Sequence, residues 1–473
     1  MPTDTREVEL QRYWWLKRLS ATAAILFVLL SIAWLLWYWH ANRQMTKLIA
    51  ELKAAGWPVQ AEDLNRPAIP DSRNGVPLLK QAIAQLPAVD VPASSAMNYR
   101  DELPYPSAWH RMMAKAFRAY APIYPLVRQA RLRGAADWQF RLSSPLTPAL
   151  PPSTNVAPQR QLANVLGDSA LYHHFHGDDP EAFETIADIQ YLAQATSEGG
   201  FLIPALVAAG IDATATQRLQ VIASDLQIPP GQPGEAVRLQ ARQMIAAIAD
   251  DAPIARWYTA ALTGESVWAI DISRTRRDLF VLAPLDRLQT AAAVRAMQTT
   301  KTAIQELTLP EANVRLGIIT PLQIPWIANL EPNLLLTQAV NPYRQLTCRR
   351  AAAVSLATAL YRSDHGRYPA RLEELVPTYL AAIPMDPLSA SGKPFAYLMA
   401  AHGTRPVLIS AGEDGIIQTT DESYLPSSVC YGWLYTRWNK CDDQYLDLSA
   451  WKDPTPPAPA TLPALPDSSD EPE

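Results

Sequence analysis

The longest uncharged stretch of the chain, LSATAAILFVLLSIAWLLWYW, occupies Leu19–Trp39. At about 1.5 Å of rise per residue, a helix of these 21 residues crosses the roughly 30 Å hydrocarbon core of a bilayer. No later part of the sequence is as long and as apolar. The chain is therefore predicted to carry a large body on one N-terminal transmembrane helix, residues 19–39.

Aromatic residues at both ends of this run favour a retained anchor over a cleaved signal peptide. A signal peptide has a shorter apolar core and a cleavage site of small residues, whereas bulky rings suit the membrane–water interfaces. The cleaved signal stays open as the alternative. The rings are Tyr13, Trp14 and Trp15 before the run, and Trp34, Trp37, Tyr38 and Trp39 at its end.

The distribution of basic residues predicts the orientation of the anchor. Cytoplasmic flanks carry the excess of lysine and arginine, and the N-terminal tail is too short to be a domain. We therefore expect a single-pass inner-membrane protein with residues 1–18 in the cytoplasm and the body in the periplasm. The flanking basic residues are Arg6, Arg12, Lys17 and Arg18 before the run, and Arg43, Lys47 and Lys53 after it.

Composition indicates a folded body that does not bind nucleic acid, and the helical spacing of apolar residues predicts that this body is mainly α. The chain is 48% hydrophobic and 18% charged, its net charge is −5, and its basic residues are scattered. Proline-rich breaks divide it. The predicted parts are a helical membrane-proximal region at 43–140, a helical-hairpin body at 159–345, a small α+β C-terminal domain at 346–450 and a disordered, Pro-rich acidic tail at 452–473.

Turn and cap residues predict where several helices begin and end. Between 252 and 330 the apolar periodicity predicts only one helix, Gln289–Leu307. The turn and cap residues are Gly56 at the end of the helix that continues from the anchor, Asn74 before a helix running to Leu86, and Asp179 before a helix starting at Pro180.

Residues 349–415 carry a series of motifs in a distinctive order. A helix is expected to end in a Tyr-x-x-x-x-Gly-x-Tyr-Pro turn, and a short helix, an Asp-Pro, two strands and a Gly-x-Asp-Gly follow. This order resembles the C-terminal half of the major pseudopilin of type II secretion systems. The motif residues are Tyr361, Gly366, Tyr368, Pro369, Leu372, Leu375, Asp386-Pro387, Gly392-Lys393-Pro394, the strands Phe395–Met399 and Val407–Ser410, and Gly412-Glu413-Asp414-Gly415.

The position of the anchor departs from the pseudopilin pattern. In that family the apolar helix directly precedes this domain and follows a peptidase site, whereas here the anchor lies far upstream. The chain is therefore not expected to be a processed pilus subunit. Its whole arrangement also resembles uncharacterised bacterial membrane proteins with an anchor, an IPDSRNGVPLLKQA segment, a helical body and a pseudopilin-like end, and that resemblance implies no activity.

The pseudopilin resemblance implies one candidate metal site. In several pseudopilins the loop after Gly-x-Asp-Gly binds calcium, and here Asp414, Asp421 and Glu422 offer oxygen ligands of the kind calcium prefers. The alternative is that these are solvated acids in a loop. No other cofactor is predicted.

Two further groups of residues carry structural interpretations. Cys430 and Cys441 are close enough in sequence to close a short disulfide loop if the body is exported, with unrelated thiols as the alternative. A cluster of metal-type ligands falls at a predicted helix end and turn, where such side chains also serve the helix dipole and cap the next helix. Its members are His173, His174, His176, Asp178 and Asp179.

The sequence favours a binding function over catalysis. The G-x-S-x-G and H-E-x-x-H patterns are absent. The leading interpretation is a scaffold of the bacterial envelope that binds protein partners and serves a secretion or pilus-like assembly. The alternative is an extracytoplasmic hydrolase acting on envelope material. A cleft with converging carboxylates or histidines would favour the hydrolase, and a groove lined by apolar and aromatic side chains would favour the scaffold.

Overall fold

In the computed structural model, helix α1 (Trp14–Ala54) continues from the apolar run into the body without a break. Its most apolar window has a mean hydropathy of 2.4 and is not buried by other parts of the chain. By length and composition α1 is therefore a candidate membrane-spanning helix. It ends just before Gly56, whose φ of +74° matches the predicted stop. The structure describes residues 14–86, 105–146, 156–275, 282–306, 341–412, 415–419 and 443–448.

The body is mainly α, as the sequence predicts. Within the described ranges it consists of short and medium-length helices with a small sheet near the C-terminus. The helices are α2 (Val76–Gln85), α3 (Ser107–Ala119), α4 (Ile123–Arg133), α5 (Ala157–Phe175), α6 (Asp179–Ser197), α7 (Leu202–Asp225), α8 (Gln232–Ala249), α9 (Ala252–Thr275), α10 (Ala283–Glu306) and α11 (Asn341–His365).

The sheet is antiparallel and has the strand order β1 (Ala396–Ala400), β2 (Arg405–Ser410), β3 (Gln444–Asp447). Strands β1 and β2 overlap the two predicted strands. Beside them the buried carboxylate of Asp386 accepts hydrogen bonds from the backbone N–H of Ala411 at 2.8 Å and of Leu388 at 3.0 Å. Burial raises the pKa of Asp386, and these hydrogen bonds oppose the rise.

Helix α7 lies at the centre of the body and is buried on nearly all sides by α5, α6, α9 and α11. Polar side chains on such a helix need partners, because burying them unpaired is costly. Asp212 accepts hydrogen bonds from Arg349 Nη1 at 2.6 Å and Gln345 Nε2 at 3.0 Å. Arg218 donates to Asp168 Oδ1 at 3.3 Å. These contacts join α7 to α11 on one side and to α5 on another.

Helix α11, which contains Tyr361 of the predicted turn, is part of the helical core. It starts at Asn341 and so lies on both sides of the predicted domain boundary at 345/346. It packs against α7 and α8. Cys348 on this helix is 1% exposed.

Residues Ala252–Thr275 form helix α9, which the sequence did not predict. Gly264 in its middle lets the backbone of α9 approach the α6–α7 turn closely. A Cβ at Gly264 would lie 2.0 Å from the carbonyl oxygen of Gly200. The residue that weakens the helical pattern is therefore the one that permits the packing.

Two predicted caps are wrong by one residue. Helix α6 is capped by Asp178, whose carboxylate accepts the backbone N–H of Glu181, whereas Asp179 lies inside the helix and its carboxylate is 2.6 Å from His174 Nδ1. The N-cap position of helix α2 is Gly75; the side chain of Asn74, one residue earlier, accepts the backbone N–H of Val76 at 3.1 Å and also bonds Asp137 in a neighbouring segment.

The end of α1 beyond the apolar run packs directly on α10. Met45, Leu48 and Leu52 are buried in one cluster with α9 and α10. The Arg287 guanidinium lies 4.6 Å from the Tyr38 ring centroid near the start of α10. Lys301, near the end of α10, lies 3.7 Å from the ring centroid of Trp57, which follows the end of α1 in the chain. Helices α1 and α10 are therefore parallel, and no linker within α1 separates its apolar run from the part that packs on the body.

Removing Arg349 tests the buried ion pair on α7. Arg349→Met leaves the carboxylate of Asp212 buried without its cation, which should lower the free energy of unfolding by about 3–5 kcal/mol. Denaturant unfolding of the full chain in detergent measures this. The control is Arg367→Gln, which removes an exposed pair with Glu374 and should cost less than about 1 kcal/mol. Equal losses in the two variants would contradict the central role of the buried pair.

Candidate functional site

A groove of about 710 Å³ opens between five parts of the chain that are far apart in sequence. It lies beyond the end of α1, which itself extends about 22 Å past Trp39. Its volume falls in the range of ligand-binding sites. The walls are Asp63–Ile69, Gly134–Leu142, Gln194–Phe201, the Arg256–Thr263 face of α9, and Lys301 on α10.

One wall contains a strand-like stretch, Ala135–Trp138, here called the edge segment. Alternate residues of this segment, Ala135 and Asp137, form hydrogen bonds with the chain around Asn74. The N–H of Ala135 donates to the carbonyl of Arg73, and the carbonyl of Ala135 accepts the N–H of Gly75. The Asn74 side-chain amide then donates to the carbonyl of Asp137 at 2.9 Å and accepts the N–H of Asp137 at 3.0 Å. A side-chain amide offers one donor face and one acceptor face, so Asn74 substitutes for a neighbouring strand.

The other side of the edge segment is unpaired. In a strand, successive residues present their backbone groups to opposite sides. Ala136 and Trp138 alternate with the inward-bonded residues and line the groove. Within the described ranges, the backbone N–H and C=O groups of these two residues form no hydrogen bond. The groove therefore contains a short, open strand edge.

Several aromatic side chains are among the residues that line the groove. Trp138 is fixed by a hydrogen bond from its Nε1 to the carbonyl of Ala195 at 2.7 Å. The remaining rings of the lining are Phe140, Phe201 and Trp257.

The carboxylates of the groove lining already have partners. Asp63 accepts the backbone N–H groups of Val59 and Gln60 at 3.0 Å each. Glu198 forms an ion pair with Arg66. Asp137 accepts the N–H of Gln139 at 2.7 Å and lies 3.7 Å from an Arg141 nitrogen. These acids are therefore occupied in holding local structure.

Two cations of the lining lack a carboxylate partner in the part of the chain that the structure describes. Arg256 is exposed on α9. Lys301 is partly buried, donates to Thr263 Oγ1 at 3.2 Å and lies 3.7 Å from the Trp57 ring centroid. Burial lowers the pKa of Lys301 because no anion offsets the loss of solvent. The groove therefore has an excess of positive charge.

The histidine cluster at the end of α5 serves the turn to α6. His173 Nδ1 lies 3.3 Å from the cap carboxylate of Asp178, and His176 Nδ1 lies 2.7 Å from the carbonyl of Tyr172. Burial lowers the pKa of His173, and Asp178 opposes the shift. Among the described residues no group of three or more histidine, cysteine or acidic side chains is arranged to hold a metal ion.

The predicted calcium ligands Asp414, Asp421 and Glu422 and the predicted disulfide partners Cys430 and Cys441 lie outside the described residues. Both remain predictions. The groove itself was not predicted, because its walls come from segments separated by up to about two hundred residues and no local motif marks them.

Comparison with known proteins gives no assignment: no family model, no curated protein and no solved structure matches the chain.

Replacing Asn74 tests how the edge segment is held. Asn74→Ala removes two hydrogen bonds to Asp137 at a site that is 1% exposed, and should lower the free energy of unfolding by about 1–3 kcal/mol. It should also speed amide exchange at 135–138. Gln81→Ala, at an exposed position on α2, is the control and should change stability by less than about 0.5 kcal/mol. Unchanged exchange at 135–138 would show that Asn74 does not hold the segment.

Proposed function

We propose that this chain is a membrane-anchored extracytoplasmic protein that binds an extended, acidic segment of a partner protein in the groove. The observation that carries the proposal is the open strand edge at Ala136 and Trp138, set beside two cations without carboxylate partners. A partner segment would add a strand to this edge.

Helix α1 supports the anchoring part of the proposal. Arginine–tryptophan contacts flank its apolar run: Arg18 lies 3.7 Å over the Trp14 ring and Arg43 lies 5.4 Å over the Trp39 ring. Such amphipathic pairs suit the two membrane–water interfaces. The location of the body in the periplasm rests on the basic residues before the span.

A charge in the middle of the span tests the anchor. Leu29→Arg places a cation in the hydrocarbon core, at a cost of about 2.5–3.5 kcal/mol on insertion scales, and should move protein from the membrane to the soluble fraction. Carbonate-washed membranes measure this. Leu239→Arg, at an exposed position on α8, is the matched control and should stay membrane-bound. Retention of both variants would overturn the anchor assignment.

The backbone edge favours a polypeptide as ligand. Unpaired N–H and C=O groups on a strand edge are satisfied by another extended chain, and main-chain hydrogen bonds supply affinity without requiring one sequence. The rings of Trp138 and Phe140 offer contact area for apolar side chains of the same segment.

Charge complementarity favours acidic side chains in that segment. Arg256 on α9 and Lys301 on α10 both line the groove, while the three carboxylates of the lining are engaged locally. An incoming carboxylate would meet a partly desolvated cation at Lys301, where ion pairing is stronger than in bulk water. Basic segments would meet an uncompensated positive surface.

The hydrolase alternative has less support. Hydrolysis needs acids, bases or a metal that converge on one point. The three groove carboxylates point to separate local partners, and no histidine is among the residues of the described chain that line the groove.

A likeness of residues 346–450 to a pseudopilin end remains part of the proposal. The order of helix α11, the turn at Gly366, the short 3-10 helix Leu372–Leu375 and the β1–β2 pair supports it. An experimental structure of the full chain, superposed on the major pseudopilin, would test it. A different strand order would contradict this likeness.

Peptide selection tests the groove. Random dodecapeptides displayed on phage are panned against the full chain in detergent, and the enriched sequences should be rich in aspartate and glutamate. A selected peptide should bind the Arg256→Glu variant about tenfold or more weakly, because a like charge now faces it. Fluorescence anisotropy measures the affinity.

The controls separate charge from strand addition. Arg371→Glu makes the same charge change at an exposed position outside the groove and should leave the affinity unchanged. Methylating alternate backbone nitrogens of the peptide should abolish binding, because it removes the donors that a strand edge requires. Binding that survives both methylation and Arg256→Glu would refute the proposal.

A further inference from the structure

We propose that the ion pair between Arg66 and Glu198, here called the strap, spans the groove and is displaced when an acidic segment enters. The incoming carboxylate takes the place of Glu198 on Arg66, so that Arg66 becomes a third cation of the site. The inference rests on the proposed function and adds a regulation of the same groove, by competition from within the chain.

The two residues of the strap stand on different walls of the groove. Arg66 belongs to the wall Asp63–Ile69 and Glu198 to the wall Gln194–Phe201. They are 132 residues apart in sequence, and Arg66 Nη1 donates to Glu198 Oε2. The other two carboxylates of the described lining accept backbone N–H groups from their own segments. Glu198 therefore differs from them, because its partner lies on another wall.

The backbone on the Arg66 side is held independently of the strap. The side-chain amide of Asn65 donates to the carbonyl of Leu142 and accepts the N–H of Leu142, both at 2.8 Å. Pro67 follows Arg66 and favours an extended backbone at that residue. Loss of the ion pair therefore frees the Arg66 side chain and leaves this wall in place.

The backbone on the Glu198 side is also held by other contacts. The N–H of Leu202 donates to Glu265 Oε1 at 2.9 Å. The carbonyl oxygen of Gly200 lies so close to Gly264 that a Cβ there would approach it to 2.0 Å. Opening the strap therefore needs only side-chain rotation, and the walls that bind the partner keep their positions.

The position of Glu198 in the fold gives no benefit to its own helix. Glu198 is the C-cap residue of α6. The C-terminal end of a helix carries a partial negative charge, so an acidic side chain there is unfavourable. In the free protein Arg66 compensates this carboxylate. A carboxylate of the partner competes for Arg66 without being placed at a helix end.

The strap is weak enough for a ligand to displace. The side chain of Arg66 is 66% exposed and that of Glu198 is 28% exposed. Exposed ion pairs are worth little, because water and salt screen them. A segment bound along the edge segment holds its carboxylates at a high effective concentration near Arg66. The exchange of partners therefore does not have to be driven by the ion pair itself.

A double-mutant cycle tests the strap with the acidic peptide selected by panning and the full chain in detergent. Glu198→Gln should bind the peptide about two- to fivefold more tightly, because nothing then competes for Arg66. Arg66→Gln should change the affinity less than about twofold, because it removes the contact to the peptide and the competing contact together. In the double variant the gain from Glu198→Gln should disappear. Fluorescence anisotropy measures the four affinities.

Two controls separate competition from a general change of charge or stability. Asp71→Asn removes a carboxylate at an exposed position of the same loop, outside the groove, and should leave the affinity unchanged. The thermal midpoint of Glu198→Gln should not fall, so that its gain in affinity cannot come from a loosened groove. The gain should also shrink when glutamate or aspartate residues of the peptide are replaced by their amides.

The same measurements distinguish failure of the strap from failure of the proposed function. If the peptide responds to Arg256→Glu but Glu198→Gln gives no gain, or gives the same gain with and without Arg66, the strap is wrong and the proposed function stands. If panning enriches no acidic peptide, or binding survives both Arg256→Glu and backbone methylation, the proposed function is wrong and the strap falls with it.

Discussion

The packing of α1 on α10 is the constraint on which the arrangement of this protein depends. The contact uses one face of α1, with residues spaced alternately three and four apart, so that a continuous stripe meets the partner helix. Because α1 does not break between its apolar run and the body, the direction of the apolar run sets the direction of the body. The stripe consists of Ser31, Trp34, Tyr38, Ala41, Met45, Leu48 and Leu52, half-buried in its first three members and buried in the rest.

Ion pairs to one buried carboxylate fix the helices that carry the groove. Arg128 and Arg131 on α4 both bond the carboxylate of Asp188 on α6, at 2.7 and 2.6 Å. Helix α4 ends at Gly134, whose φ of +81° turns the chain into the edge segment. The ion pairs that hold α4 on α6 therefore also set the start of the strand edge. Such pairs add little net stability in place of apolar packing, but losing one partner is costly, so they favour one arrangement over others.

Much of the fold follows from local patterns in the sequence. The uncharged run, the stop at Gly56, the helical body and strands β1 and β2 are each marked by neighbouring residues. Helix α9 was missed because Gly264 interrupts its pattern, and the value of a glycine there is visible only once the α6–α7 turn lies against it.

The groove could not be predicted for a related reason. Asn74 looks like a helix cap in the sequence, since the same side chain serves caps and strand-like contacts equally well. In the structure Asn74 makes both: it accepts the N–H of Val76 at 3.1 Å, and it bonds Asp137, a residue that only the tertiary fold brings near. Likewise, Lys301 is held in the groove by contacts with Trp57 and Thr263, which belong to other parts of the chain.

The distance between α1 and α10 in a bilayer tests the central claim most directly. Spin labels at the exposed positions 47 and 295 of the full chain in nanodiscs, with Cys430 and Cys441 replaced by alanine, report this distance by pulsed electron paramagnetic resonance. A body held by the stripe predicts one narrow distance distribution, the same in nanodiscs and in detergent. A broad distribution would contradict the account, because it would mean that α10 and the body move relative to α1.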